Sequence, residues 1–295
     1  MGPLKPIDIC NLSCFINCKD KFYDKLRRVK SKLESKIVVP LAFEKYTIQY
    51  APVGNYPENP LIIICGKTTS GSSHDLFINA LQNGKSLYEA CFFSIYSNMR
   101  NNLFKYLEKI DLFDYLKKTI AYWKTNDYEE KWDAIFENAN DSFSSGIQVT
   151  QAFNCAILNR KSSARSSEPS RKIFDLIQDN IGCLFKHFRI SDSLKLIIFL
   201  DTPSDDYRFH QIDYWNAYHS SKHPNVKVIS ITHPSGQNND IFNNLDNLNK
   251  INNPNKRIKA TKLFENAKDV IKSLSQEELL EEIKKIKDKK AAPST

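Results

Sequence analysis

The sequence predicts an α/β protein, a three-layer αβα sandwich around a central, mainly parallel four-stranded sheet. Three observations lead there. Four short runs (61–65, 147–153, 194–200 and 226–231) read as strands, and the first, unbroken, rich in β-branched residues and too short for a helix, reads as one buried on both faces. Between them lie segments with an apolar stripe at helical spacing. Each run also ends abruptly in a small polar stretch, which is where open α/β sheets meet their ligands. Strands alternating with helices imply parallel pairing with helices on both faces.

A length of 295 residues suits one large domain or two small ones, and a hydrophobic fraction of 41% suffices for a sizeable core. The composition divides into an N-terminal helical segment (1–36), an α/β domain (37–250) and a basic C-terminal helical tail (251–295). No apolar run reaches the ~18 residues of a membrane span, and residues 1–8 carry no signal-peptide core, so a cytoplasmic protein without membrane contact is expected. The seven cysteines are an odd number, and Cys65 and Cys91 sit in apolar stretches. That pattern suits reduced thiols rather than a disulfide framework. The net charge of +8 concentrates in 25–36 and 256–290; it fits either solvated helix faces or contact with a polyanion.

Taken in order, Cys10, Cys14 and Cys18 are spaced to share one helix face. Buried thiols are the simpler reading than an iron–sulfur cluster, which needs a fourth ligand such as Cys155 or Cys183. Residues 19–36 read as an amphipathic helix and 46–50 as a β-prone piece, followed by a turn over 54–60. The run 61–65 opens into Gly66-Lys67-Thr68-Thr69-Ser70-Gly71, which reads as a glycine-bracketed loop whose amides and hydroxyls, through Ser73, suit an anion. Residues 75–83 predict a short helix, 86–116 a helical stretch broken near Asp111, and 128–138 another helix that groups Trp132, Ile135 and Phe136. Phe92 and Phe93 either line a pocket or pack in the core. The strand 147–153 leads into Asn154-Cys155 and a basic, hydroxyl-rich loop over 159–167, which is either a flexible connection or a phosphate contact. A helix from Pro169 to about Phe188 precedes the third strand, which ends at Asp201. A helix carrying Tyr207, Ile212, Trp215 and Tyr218 precedes the fourth, which ends at Thr232-His233-Pro234-Ser235-Gly236. Residues 237–255, rich in Asn, read as looped. Ser275 with Glu278 marks a capping box opening the last helix.

Parallel strands place these polar ends on one rim, so Gly66–Ser73, Gln151 with Asn154 and Arg160, and His233–Gly236 could converge on one ligand. In their order they resemble the uracil-DNA glycosylase superfamily. Its members share a hydrophobic strand ending in a Gly-x-[Asp/Asn/Ala]-Pro loop, a middle segment like Thr-Asn-x-x-Lys-Cys, and a late strand ending in His-Pro-Ser. Here Gly66–Gly71 stands at the first, Thr150-Gln151-Ala152-Phe153-Asn154-Cys155 with Arg160 at the second, and Thr232–Gly236 at the third. The stretch 97–103 also resembles a helix before the second motif in some members. The likeness spans residues 58–242.

The resemblance implies a uracil-DNA glycosylase-like fold and a monomer that flips a pyrimidine nucleotide out of DNA and cuts its N-glycosidic bond, leaving an abasic site. Catalysis of that kind is largely electrostatic stabilisation of separating charge. His233 would bond the departing base, and Gly66, Lys67, Thr69, Gln151 and Asn154 would bind it, Gln151 in place of the family's base-reading asparagine. Ser70, Ser72, Arg160, Ser235, Gly236 and Gln237 would hold DNA phosphates. Thr68 stands at the catalytic position where relatives carry Asp or Asn. A threonine cannot position water as a carboxylate does, so Asp75 is the nearest substitute, unless it caps a helix or faces solvent; Asp201 shares that ambiguity. These departures imply a base other than plain uracil, with repair of a damaged base or antiviral defence against phage DNA carrying modified cytosine as candidate roles, or else an inactive nucleic-acid or nucleotide binder. The polar Gln237-Asn238-Asn239 stands where relatives insert leucine into the duplex. The cysteine spacing departs from that of cluster-bearing members, so no cofactor and no metal are expected. Gly66-Lys67-Thr68 mimics the end of a phosphate-binding P-loop, but Ile62 replaces its first glycine. His219 and His223 lack a third ligand for a metal, and a lone strand-end histidine such as His233 is commonly structural.

Overall fold

The structure is a computed structural model, and it describes residues 42–43, 46–50, 53–55, 57, 59–117, 127–137, 146–159, 174, 185, 188, 190–201 and 210–291. Several expectations lie outside the described residues: the helix over 19–36, Cys10, Cys14, Cys18 and Cys183, Arg160 with the loop that follows it, Tyr207, and all but isolated residues of the helix from Pro169.

Six strands form one sheet: β1 (Ala42–Phe43), β2 (Tyr46–Tyr50), β3 (Ile62–Thr69), β4 (Ile147–Asn159), β5 (Leu196–Leu200) and β6 (Lys227–Ile231), ordered β1-β2-β4-β3-β5-β6. The four strands β4-β3-β5-β6 are all parallel, as the alternating pattern predicts. Two short antiparallel strands extend this sheet, because β4 runs past Phe153 to Asn159 and pairs its second half with β2. Ile62 to Cys65 and the whole of β5 are buried, so both faces of the central strands are covered and the architecture is a three-layer α/β fold. Removing each such side chain from water contributes about 1.5–3 kcal/mol.

The helices are α1 (Gly71–Gln82), α2 (Leu87–Ser94), α3 (Arg100–Lys109), α4 (Leu112–Lys117), α5 (Tyr128–Glu137), α6 (Gln211–Tyr218), α7 (Asn239–Phe242), α8 (Pro254–Ser273) and α9 (Gln276–Ala291). The stretch 86–116 breaks at Asp111, at φ 65°, and a second time at Tyr96, at φ 51°. A reciprocal capping box between Ser86 and Glu89 starts α2. Trp132, Ile135 and Phe136 of α5 are buried together. Phe92 packs edge-on against Phe136 at 5.4 Å, whereas Phe93 is 47% exposed.

Residues 237–255 are not simply looped. They form a 3₁₀ turn at Gly236–Asn238, α7, and a second 3₁₀ turn at Leu248–Lys250. Ile241, Phe242, Leu245 and Ile251 are buried, and apolar anchors at that spacing outweigh the poor helix propensity of asparagine. Ser275 Oγ accepts from the Glu278 amide at 3.2 Å, as a capping residue does. Helices α8 and α9 bury Ala260, Ala267, Ile271, Leu279 and Ile283 in the same core as the sheet. No helix among the described residues is long and apolar enough to cross a membrane.

The order of the parallel strands marks the topological switch point of the sheet. The chain leaves β3 for β4 on one side and returns to β5 on the other. Crossovers diverge between β3 and β5, and ligands of open α/β sheets bind beyond the carboxyl ends of strands at that switch point.

Candidate functional site at the carboxyl rim of the sheet

The end of β3 differs from the expected loop. Gly66 to Thr69 remain in the strand, with Gly66 opposite Gln151, Thr68 opposite Phe153 and Thr69 opposite Ala156, across a register shift between Thr68 and Thr69. The β-branched threonines favour the pleat, and the ladder to β4 outweighs the loop signal of glycine and hydroxyls. Ser70 alone connects β3 to α1. Its Oγ accepts from the Ser73 amide at 3.2 Å and lies within 3.2 Å of Ser72 Oγ and 3.0 Å of Ser73 Oγ, so this hydroxyl serves as the N-cap. The expected cradle is thereby a helix N-terminus, with Ser72 exposed beside it. Thr68 is half-buried, its Oγ1 donating to the Thr69 carbonyl at 3.2 Å, and Thr69 is buried. Asp75 faces solvent from α1, its carboxylate 75% exposed and 3.6 Å from His74 Nδ1.

On the β4 side, Gly66 and Gln151 come together. A Cβ on Gly66 would overlap the carboxamide oxygen of Gln151, so glycine is required for Gln151 to lie across the strand. Gln151 is 5% exposed, and its Oε1 is buried with no hydrogen-bond partner among the described residues. Gln148 Oε1 and Nε2 on the same strand are likewise buried without a partner among the described residues, and an ordered water or a ligand would satisfy such groups. Sequence reasoning missed Tyr96. Its hydroxyl accepts from the Gly66 amide at 2.8 Å and donates to the Thr150 carbonyl at 2.6 Å. A phenol oxygen therefore bridges β3 and β4 next to the Gly66–Gln151 pair. Tyr96 holds it there from a left-handed backbone conformation that costs a non-glycine residue about 1–2 kcal/mol. No local pattern announces such a residue, because its role depends on where the break between α2 and α3 falls in space.

On the β5 side, Lys67 is engaged by the protein itself. Its Nζ lies 2.9 Å from Asp201 Oδ1, with the two side chains 13% and 1% exposed. Asp201 Oδ2 accepts from the Gln211 amide at 2.8 Å and lies 3.7 Å from His210 Nδ1. Burial alone would raise the Asp201 carboxyl, but His210, Lys67 and the Gln211 amide outweigh it and hold the group below its ordinary value. Asp201 in turn raises the His210 imidazole above its ordinary value, against the pull of burial. The Gln211 side chain joins the two strands, with Nε2 donating to the carbonyls of Cys65 at 3.4 Å and Leu200 at 3.3 Å. Cys65 is buried and unbridged. Burial, reinforced by the charge of Asp201, pushes its thiol well above its ordinary value, so it stays protonated and is no nucleophile. Lys67 and Asp201, separate candidates in the sequence, thus form one ion pair at the switch point, with His210 as a third member.

At the end of β6, His233 is half-buried and its carbonyl accepts from Asn238 Nδ2 at 2.8 Å. Asn102 of α3 ties this loop down, its Nδ2 lying 3.2 Å from the Pro234 carbonyl and 3.0 Å from Asn239 Oδ1. Ser235 is half-buried and precedes the 3₁₀ turn without a side-chain capping bond. Gly236 and Gln237 are exposed, and the Gln237 carbonyl accepts from Lys256 Nζ at 2.9 Å. Asn154 lies within β4 rather than beyond it; its side chain and Arg160 are outside the described residues.

The rim therefore brings Gly66 to Gln151 and Lys67 to Asp201, and it sets His233 at the far end. Three strand spacings of about 4.8 Å separate β4 from β6, or roughly 14 Å. Residues Tyr96 to Asn102 bridge that span, from Gly66 and Thr150 at one end to Pro234 at the other. No group of three or more metal-ligating side chains occurs among the described residues. No family model, curated protein or solved structure matches this chain.

Proposed function

We propose that this protein is a DNA glycosylase of the uracil-DNA glycosylase type, a cytoplasmic monomer that acts on a modified or damaged pyrimidine flipped out of DNA. Gln151 carries the reading. Its unpartnered carboxamide oxygen is buried at the strand position where the resembled family reads the base, and leaving such an acceptor unmatched costs about 1–3 kcal/mol. A base N–H would satisfy it. A nucleotide is also the size of ligand that reaches from Gln151 toward His233. In the reaction, the C1′–N bond breaks and its electron pair leaves with the base. His233 donates a hydrogen bond to the base as negative charge grows there, and water adds at C1′ with loss of a proton.

A second reading, a nucleotide-binding protein without catalysis, draws on the carboxylates. Thr68 has none, Asp75 faces solvent, and Asp201 is bound by Lys67 and His210. An abasic-site assay separates the two. The protein is incubated with DNAs containing uracil, hydroxymethylcytosine or glucosylated cytosine, and the products are treated with alkali. Strand breaks that disappear in His233→Ala support excision. Intact strands on every substrate, with DNA still bound, leave the binding reading, and undiminished breaks in His233→Ala refute the site.

A further inference from the structure

A cavity of about 500 Å³ lies between α2, the start of α3 and α5, within the range of small-ligand sites. Its cationic group is Arg100. The guanidinium lies over the Trp132 ring, 4.3 Å from its centroid, and 5.3 Å from that of Phe92. Arg100 Nη2 donates to the carbonyls of Phe92 and Ile95, and Nε also donates to Ile95. Those bonds fix the plane and occupy three of the five guanidinium donors; the two on Nη1 have no protein acceptor among the described residues. Burial pulls Arg100 down to about 10, which leaves it charged at neutral pH.

Phe93 supplies an exposed ring, set at 89° to Phe92. Glu129 and Asp133, one turn apart on α5 and exposed, line the cavity; their charges favour the charged form of Arg100, with no ion pair within 4 Å among the described residues. The arrangement discriminates among ligands. A phosphate would meet two carboxylates. An organic cation would find the Trp132 face already covered by a like charge. A flat neutral heterocycle can stack on Phe93, accept from Nη1 in the plane of the guanidinium and donate to a carboxylate. Guanine matches best, because its adjacent N1–H and N2–H groups pair with the two oxygens of one carboxylate while O6 and N7 suit arginine.

We propose that this cavity is a nucleobase-binding site selective for a base with paired N–H donors, guanine above all, and distinct from the Gln151 rim. It stands whether or not the rim excises a base. The ligand chemistry is shared by a free nucleoside and by a base of a DNA strand. For DNA, the shared wall is informative: Ser97, Asn98 and Asn101 line the cavity while Tyr96 and Asn102 reach the rim, so the occupant would neighbour a nucleotide held at the rim.

Calorimetric titration of the full chain tests this with deoxyguanosine, deoxyinosine (which lacks the 2-amino group) and thymidine. The expected result is deoxyguanosine binding at least about tenfold tighter than the other two, as one bidentate base contact provides. Phe93→Ala should weaken it at least about tenfold. The double variant Glu129→Gln with Asp133→Asn should erase the difference between deoxyguanosine and deoxyinosine, with circular dichroism unchanged in both. Titration with oligothymidylate, with and without one central guanine, identifies the source. Tighter binding of the guanine strand marks a DNA base, and equal binding marks the free nucleoside. No saturable nucleoside binding, equal affinity for all three, binding of tetramethylammonium in their place, or binding lost in Gln151→Ala but kept in Phe93→Ala overturns the proposal. The abasic-site assay does not enter any of these outcomes, so excision and guanine binding fail separately.

Discussion

Replacing Gly66 by alanine tests the geometry of the rim most directly. The added Cβ would overlap Gln151 Oε1 and stand 3.1 Å from the carboxamide carbon and 3.3 Å from Nε2. Gln151 is buried, so it must leave its position or the two strands must part. Two effects compete. Alanine reduces the freedom of the unfolded chain and thereby stabilises by about 0.4–1 kcal/mol where its conformation is tolerated. Forcing extra volume into a packed site costs about 1–3 kcal/mol. The collision wins, and Gly66→Ala is expected to destabilise by about 1–2 kcal/mol. In a Gln151→Ala background the obstacle is gone, and the same substitution should be neutral or stabilise by about 0.5 kcal/mol. Urea unfolding of the four proteins gives the coupling energy, expected at about 1–2 kcal/mol, whereas independent sites add to within about 0.3–0.5 kcal/mol. Additivity within that margin would refute the placement of Gln151 across Gly66.

Tyr96→Phe removes the hydroxyl that bridges the Gly66 amide and the Thr150 carbonyl. It should destabilise by about 1–3 kcal/mol and speed hydrogen exchange at the Gly66 amide, and unchanged exchange there would count against the bridge. The pH dependence of stability follows from the ion cluster at β5. Asp201 is held below its ordinary value, so its contribution is complete above the unfolded value of about 3.9 and is lost as pH falls through the lower folded value. His210 is held above its ordinary value, so its contribution is complete below about 6.5 and is lost as pH rises through the higher folded value. Urea midpoints should therefore decline above about pH 6.5, and His210→Gln should flatten that decline; an equal decline in the variant would remove His210 from the cluster.

The runs 61–65 and 196–200 were legible because burial on both faces leaves a contiguous apolar run, and a run is a local property; 147–153 and 226–231, interrupted by Gln148, Thr150, Gln151, Lys227 and Ser230, were legible from their β-branched residues and their place between helices. The same holds for the Asp111 break and for Ser275 as a cap, each signalled within a few residues of its own position. The Gly66–Gly71 segment was misread as a loop because glycine and hydroxyls carry the same local signal whether or not a partner strand pairs with them. Residues 237–255 were misread for a related reason: four apolar anchors decide their structure, and those anchors count only once a core exists to receive them. Gln151 was identified as a candidate from the order of the strand ends, yet its unmatched oxygen and its dependence on Gly66 come from the register of β3 against β4.

The sequence by itself determined which segments are strands, in what order they come, and that their polar ends share a rim, since these follow from apolar periodicity and connectivity. Only the tertiary structure decided which polar groups meet. It joined Lys67 to Asp201 and His210, slid the Tyr96 hydroxyl between β3 and β4, tied Asn102 to the His233 loop and turned Asp75 to solvent. Each of those outcomes depends on distances between residues far apart in the chain, and in a buried site a partner within about 3 Å determines whether a charged or polar group is spent on the fold or left for a ligand.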